Sequence, residues 1–221
     1  MKRVLRIARE RLGSLLGRSR RWRFLEMLPG HSVGAEIGVF QGEFTREILR
    51  VVRPQRLHLI DSWWLRFGEH YPNWGAYTDS GRLSTREAYD RARQIAAAHA
   101  GPNVCQFHVA DDVECLSTFP DCYFDWVYLD TSHEYDHTLR ELDAIARVLK
   151  PAGLVMGDDW IEDPSNVNHG VCRAVTEFCS TGAWQVVARD VFGQWCIQRS
   201  LAQSLPQHAP IAKRRTWTLS R

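Results

Sequence analysis

Short apolar runs and longer amphipathic stretches alternate along most of this chain. Ser32–Ile37, Leu57–Ile60, Val104–Val109, Phe124–Leu129 and a run opening Leu154-Val155-Met156 are rich in apolar residues, as strands buried on both faces are. Amphipathic segments follow them. Their spacing predicts helices over about 43–52, 84–100, 135–149 and 171–179, with a short one after Asp111-Asp112. Leu139, Leu142, Ile145 and Leu149 share one face of the 135–149 segment. Ser84-Thr85-Arg86-Glu87 has the form of a capping box, while Gly101-Pro102 and Lys150-Pro151-Ala152-Gly153 have the form of turns. Trp184–Ala188 and Trp195–Gln198 predict a closing hairpin around Gly193. The alternation predicts an α/β fold, a mainly parallel seven-stranded sheet with helices on both faces and a C-terminal antiparallel hairpin.

Three stretches depart from this pattern. Residues 63–83 scatter Trp63, Trp64, Phe67, His70, Tyr71, Trp74 and Tyr77 among glycine, proline and asparagine. The segment follows a strand, where open α/β sheets bind ligands, so a lid over the substrate is expected. Residues 1–28 predict a basic amphipathic helical arm, with Val4, Leu5, Ile7, Ala8, Leu12, Leu15 and Leu16 forming its apolar stripe. Such an arm docks on the body or on a second copy of the chain, or lies on an anionic membrane surface. Pro29-Gly30 marks the start of the body, 29–200, and residues 201–221 form a basic tail.

Charge changes the picture more than composition does. The whole chain carries net +2, but residues 1–23 hold nine basic side chains and one acid, and residues 201–221 hold four basic side chains and no acid. The body between them therefore carries about −10. An acidic body suits a cationic cofactor or a metal and argues against a nucleic-acid partner. Six cysteines, Cys105, Cys115, Cys122, Cys172, Cys179 and Cys196, show no C-x-x-C pair and predict reduced thiols in a cytoplasmic protein. No apolar run reaches the ~18 residues of a membrane span.

The chemistry gathers at strand ends. Ala35-Glu36-Ile37-Gly38-Val39-Phe40-Gln41-Gly42 closes a strand with a glycine turn and opens a helix. Gly38 lets backbone approach a ligand, and Gly42 does so at a helix entry where N–H groups are unpaired. Glu36 beside that turn repels phosphate. Asp61, at the end of the second strand, stands where an acid grips a ribose diol. Together these favour S-adenosylmethionine over NAD. Five predicted strand ends carry an acid: Glu36, Asp61, Asp111, Asp130 and the pair Asp158-Asp159. Parallel strands share one carboxyl edge, so these acids are expected on one side of the molecule.

The ordered motifs Glu36-Ile-Gly-Val-Phe-Gln-Gly42, Leu59-Ile-Asp-Ser-Trp63, Tyr128-Leu-Asp-Thr-Ser-His-Glu-Tyr135, Leu149-Lys-Pro-Ala-Gly153, Gly157-Asp-Asp-Trp160 and Gly170-Val-Cys-Arg-Ala-Val175 span about residues 33–180. In them the chain resembles the class I S-adenosylmethionine-dependent methyltransferases. More narrowly, it is similar to the macrocin O-methyltransferase-like small-molecule O-methyltransferases, whose sheet is Rossmann-like. The resemblance implies a cofactor site of Glu36, Gly38, Val39, Phe40, Gly42, Asp61 and Ser62, with Asp111 or Asp112 on the adenine amino group. It implies Mg²⁺, or Mn²⁺, held by Asp130, Asp158 and Asp159. Some relatives carry an acidic base two residues after the first ligand. Ser132 stands there in this chain, and His133 is the natural substitute, beside Asp130. The acceptor expected is a hydroxyl of a small molecule or sugar. The alternatives are a metal-independent methyltransferase with His133 as base and a non-catalytic nucleoside-binding module.

Overall fold

The computed structural model describes residues 23–200. The expected tail, and the expected arm except for residues 23–28, lie outside the described residues. The elements are β1 (Val33–Ile37), α1 (Glu43–Val51), β2 (Arg56–Asp61), α2 (Trp64–Phe67), α3 (Thr85–His99), β3 (Cys105–Val109), α4 (Asp112–Ser117), β4 (Phe124–Leu129), α5 (Tyr135–Val148), β5 (Leu149–Gly157), α6 (His169–Ser180), β6 (Trp184–Arg189) and β7 (Trp195–Arg199). One seven-stranded sheet takes the order β3-β2-β1-β4-β5-β7-β6. The first five strands run parallel, β7 is antiparallel to β5, and β6 is antiparallel to β7. This is the expected Rossmann-like methyltransferase architecture with its C-terminal antiparallel pair.

Strand alternation divides the core into two layers, because successive side chains leave a strand on opposite faces. Leu57, Leu59, Trp126, Tyr128 and Met156 face Ile48, Leu49, Ala88 and Ala92 from α1 and α3. Leu25 and Leu28 join that layer from the N-terminal side. Ala35, Ile37, Ile60, Val127, Leu129 and Val155 face Leu142, Ile145, Val171 and Val175 from α5 and α6. Each such side chain contributes about 1.5–3 kcal/mol on full burial. Two of the fully buried indoles, Trp126 and Trp195, place a polar atom in the core with a partner. Trp126 Nε1 donates to Ser32 Oγ at 2.8 Å, and Trp195 Nε1 donates to the Asp158 carbonyl at 2.9 Å.

Two local expectations change. The turn expected at Lys150–Gly153 lies within β5, which starts at Leu149 opposite Phe124. A register shift between Phe124 and Trp126 absorbs the extra residues, so the ladder passes from Leu149 to Leu154 and skips the proline. At the start of α3, Ser84 Oγ accepts from the Arg86 N–H at 3.2 Å. The other half of the capping box is not made there, because Glu87 pairs with Arg91 one turn on.

The aromatic insertion folds into α2 and a 3₁₀ stretch, Gly75–Gly81. Trp63 and Tyr71 are buried, whereas Trp74 and Tyr77 are exposed. It sits against the glycine turn: Trp63 Nε1 donates to the Phe40 carbonyl at 3.0 Å, and the Phe40 ring stacks on Tyr77 with centroids 4.9 Å apart. Strand order reverses between β1 and β4, so a crevice opens at the carboxyl ends of these two strands.

Candidate functional site

Glu36, Gly38, Val39, Phe40, Gly42, Asp61 and Ser62 come together at the ends of β1 and β2. The Asp61 carboxylate organises the turn. Its Oδ2 accepts the N–H groups of Val39 and Phe40 at 2.9 and 2.8 Å, and its Oδ1 accepts the Trp63 N–H at 2.9 Å. Burial raises its pKa, and these N–H donors pull against that rise. A ribose diol at Asp61 therefore shares a carboxylate that already holds the turn. Glu36 leaves β1 on the α1 face, almost completely buried, and its Oε2 accepts from Thr45 Oγ1 at 2.6 Å. Burial pushes its carboxyl up to about 8.

The glycines serve the chain itself. A Cβ on Gly38, whose φ is +87°, would stand 1.8 Å from the Asp130 carbonyl oxygen. The turn after β1 and the loop after β4 thus interlock at one point, and only glycine permits it. At Gly42, in the left-handed region, a Cβ would meet the Ala92 backbone at 2.8 Å, so its absence lets α1 and α3 close on each other.

Across the crevice, Asp130, His133 and Asp159 converge. His133 Nε2 lies 3.2 Å from Asp130 Oδ1 and 2.9 Å from Asp159 Oδ2. Burial alone would lower the histidine, but its hydrogen bonds to Asp130 and Asp159 outweigh that and raise it to about 10. Two carboxylates this close repel unless a positive charge lies between them, and the imidazolium supplies it. His133 and Asp159 hold φ of 61° and 60°, left-handed conformations costing about 1–3 kcal/mol each in side chains with a Cβ. These two residues follow the ends of β4 and β5, and their side chains meet 2.9 Å apart. Asp158 takes another direction. It is buried, and its Oδ1 accepts from Gln194 Nε2 at 2.6 Å. A small cavity lined by Thr131, His133, Thr138 and Asp158 adjoins the centre. The insertion touches the loop after β4, with Arg66 3.8 Å from Glu134.

Asp111 and Asp112 stand at the end of β3. Asp111 caps α4 by accepting the Glu114 N–H at 3.0 Å. The Asp112 carboxylate lies 2.9 Å from His137 Nε2, which is also 3.3 Å from Glu141 Oε1. Thr131 Oγ1 donates to that same Glu141 oxygen at 2.7 Å. Hydrogen bonds to Asp112 and Glu141 raise His137 to about 10, while burial raises Glu141 to about 7. Asp112 is lowered, its hydrogen bonds outweighing burial. Sequence reasoning missed His137, Glu141, Thr131 and Gln194. The His137/Glu141 spacing of four on a predicted helix was a visible signal for one face. Nothing local in sequence points to Gln194.

Residues 35–160 match the family described as a methyltransferase domain. No curated protein matches the chain by sequence. Among solved structures, a protein from Corynebacterium glutamicum aligns with 85% of this chain and 82% of its own at 16% identity, TM-score 0.62. A cofactor-bound protein from MTB aligns with 80% of this chain and 78% of its own at 14% identity, TM-score 0.59. The O-methyltransferase NovP aligns with 82% of this chain and 80% of its own at 16% identity, TM-score 0.56. At such identities the structural likeness shows the shared fold. Among the described residues, no helix is long and apolar enough to cross a membrane.

Proposed function

The chain belongs to the methyltransferase-domain family of S-adenosylmethionine-dependent enzymes, and from that premise we propose that it methylates a hydroxyl oxygen of a small molecule or sugar at Asp130, His133 and Asp159. The observation that carries this reading is the approach of His133 Nε2 to both carboxylates at the crevice edge. A hydroxyl is a poor nucleophile until its proton leaves. Here the oxygen attacks the sulfonium methyl in line, the carbon–sulfur bond breaks, S-adenosylhomocysteine departs, and the hydroxyl proton passes to the His133 centre. His133 starts protonated. A bound sulfonium, itself positive, disfavours a second positive charge nearby and drives the imidazole toward its basic form. Asp130 and Asp159 orient the ring. The likeness to the O-methyltransferase NovP supports oxygen as the target, and the exposed Trp74 and Tyr77 support a lid role for the insertion.

A divalent ion is the second reading. The ligand atoms of Asp130, His133 and Asp159 lie within 4.8 Å of one another, an oxygen–nitrogen–oxygen donor set that fits Mn²⁺, or Mg²⁺ with water completing its shell. Asp130 and Asp159 would hold it with neutral His133, and Asp158 would have to turn from Gln194 to join them. Such an ion supplies Lewis acidity that lowers the pKa of an acceptor hydroxyl. The test is incubation with methyl-labelled S-adenosylmethionine and a panel of catechols, phenols and sugars, read as labelled product by mass spectrometry, with and without chelator. A methylated hydroxyl is the expected result, and label on nitrogen or carbon alone overturns the reading. Loss of product in chelator and its return with Mn²⁺ selects the metal version.

A further inference from the structure

The buried trio Asp112, His137 and Glu141 has the spacing of a metal site, since its ligand atoms also lie within 4.8 Å of one another. Its hydrogens argue otherwise. Arg140 Nη2 faces His137 Nδ1 at 3.3 Å, and an arginine can only donate. The proton of a neutral ring therefore belongs on Nε2, between Asp112 and Glu141, and a charged ring carries one there as well. In either state Nε2 has no lone pair for a cation. The trio is a hydrogen-bond network, and it is costly to keep. Glu141 is fully buried, and its Oε2 has no partner among the described residues.

What the network touches gives its role. His137 and Glu141 sit one turn apart on α5. His137 holds Asp112, the neighbour of Asp111 at the end of β3. Glu141 holds Thr131, the neighbour of Asp130 at the end of β4. We infer that α5 is a spacer whose His137 and Glu141 are positioning residues, each gripping the residue beside a working acid and fixing the separation between the adenine end and the reaction centre. The inference rests on the proposed function for the role of Asp130 and on the family resemblance for that of Asp111. Neither positioning side chain touches the reacting atoms. Each reaches one strand-end loop directly, and the two meet where His137 Nε2 lies 3.3 Å from Glu141 Oε1, so the loss of either disturbs its own end of the site more than the other.

Two readouts separate the ends without an identified acceptor. Calorimetry with S-adenosylhomocysteine reads the β3 end, and the imidazole resonances of His133, assigned by comparison with His133→Gln, read the β4 end. His137→Ala is expected to weaken S-adenosylhomocysteine about tenfold while the His133 resonances stay in place. Glu141→Ala is expected to move those resonances with affinity held within about twofold. His137→Gln, which can still donate to Asp112, and Glu141→Gln, which can still accept from Thr131, are expected to recover most but not all of each readout. These two variants also show the split at smaller amplitude if the alanine variants fail to fold. Both readouts changing together, or neither changing, overturns the inference while leaving the proposed function intact. A folded wild-type protein that binds no S-adenosylhomocysteine overturns both.

Discussion

Two clusters in this molecule are built from the same parts, one histidine and two carboxylates, and differ mainly in depth. At the crevice, the side chains of Asp130, His133 and Asp159 are 27%, 25% and 26% exposed. Under α5, those of Asp112, His137 and Glu141 are 13%, 11% and 0% exposed. The open cluster sits on left-handed backbone at two of its three residues, while the buried one rises from regular helix. Water reaches the first, so its protons can exchange. The second is shut, so its hydrogen bonds hold loops in place. Composition alone does not distinguish a reaction centre from a brace. Exposure and backbone strain do.

The largest effect expected from this contrast is on turnover. His133→Ala and Asp159→Asn should each reduce methyl transfer by about 10²–10⁴-fold, the usual worth of a general base and its orienting partner. Their melting temperatures should fall by less than those of variants in the buried cluster, because water screens partly exposed groups. The measurement is single-turnover methylation with the acceptor that the hydroxyl panel returns. Turnover within threefold of wild type would remove the open cluster from the chemistry and erase the contrast.

Stability should show the reverse. His137→Ala leaves Asp112 and Glu141 facing each other in the interior without the donor between them. A stranded buried acceptor costs about 1–3 kcal/mol, so a loss of about 3 kcal/mol is expected, or roughly 6–12 °C in melting temperature. Thermal unfolding followed by circular dichroism checks it. Were His137→Ala no less stable than His133→Ala, burial would not be what separates the clusters.

Much of this was legible in the sequence, for reasons that particular residues make plain. The five acid-bearing strand ends were predictable because parallel strands finish on one edge, and Glu36, Asp61, Asp111, Asp130 and Asp159 do share it. The trio expected around a metal contained Asp158. Asp158 and Asp159 follow the end of β5, and with left-handed backbone at Asp159 their side chains part, one to Gln194 and one to His133. His133 stands between Asp130 and Asp159, and its reach depends on a φ of 61° that no pattern of apolar positions encodes. Gly38 was identified from its turn. Its physical reason, the Asp130 carbonyl in the space of a Cβ, lies 92 residues along the chain and had no local trace.

The smallest expected effect, and the one that sharpens the comparison most, is on the pH dependence of stability. Glu141 is raised from its ordinary 4.5 to about 7 by burial. An acid with a raised folded pKa adds stability below its unfolded value, and that contribution fades as pH climbs through the folded one. The share of Glu141 should therefore be complete below 4.5 and disappear by about pH 7. His133 is raised from 6.5 to about 10, so by the same sign its share is complete below 6.5 and is lost as pH rises through about 10. His137 titrates over that upper window too, since Asp112 and Glu141 raise it equally far. The clusters should thus separate at the acid end, where Glu141 titrates. Urea unfolding from pH 4.5 to 10 on wild type, Glu141→Gln and His133→Gln resolves this. Glu141→Gln should flatten the decline between 4.5 and 7, and His133→Gln should flatten only the decline above 6.5. Parallel curves for all three proteins would mean that neither cluster feels its surroundings as its geometry requires.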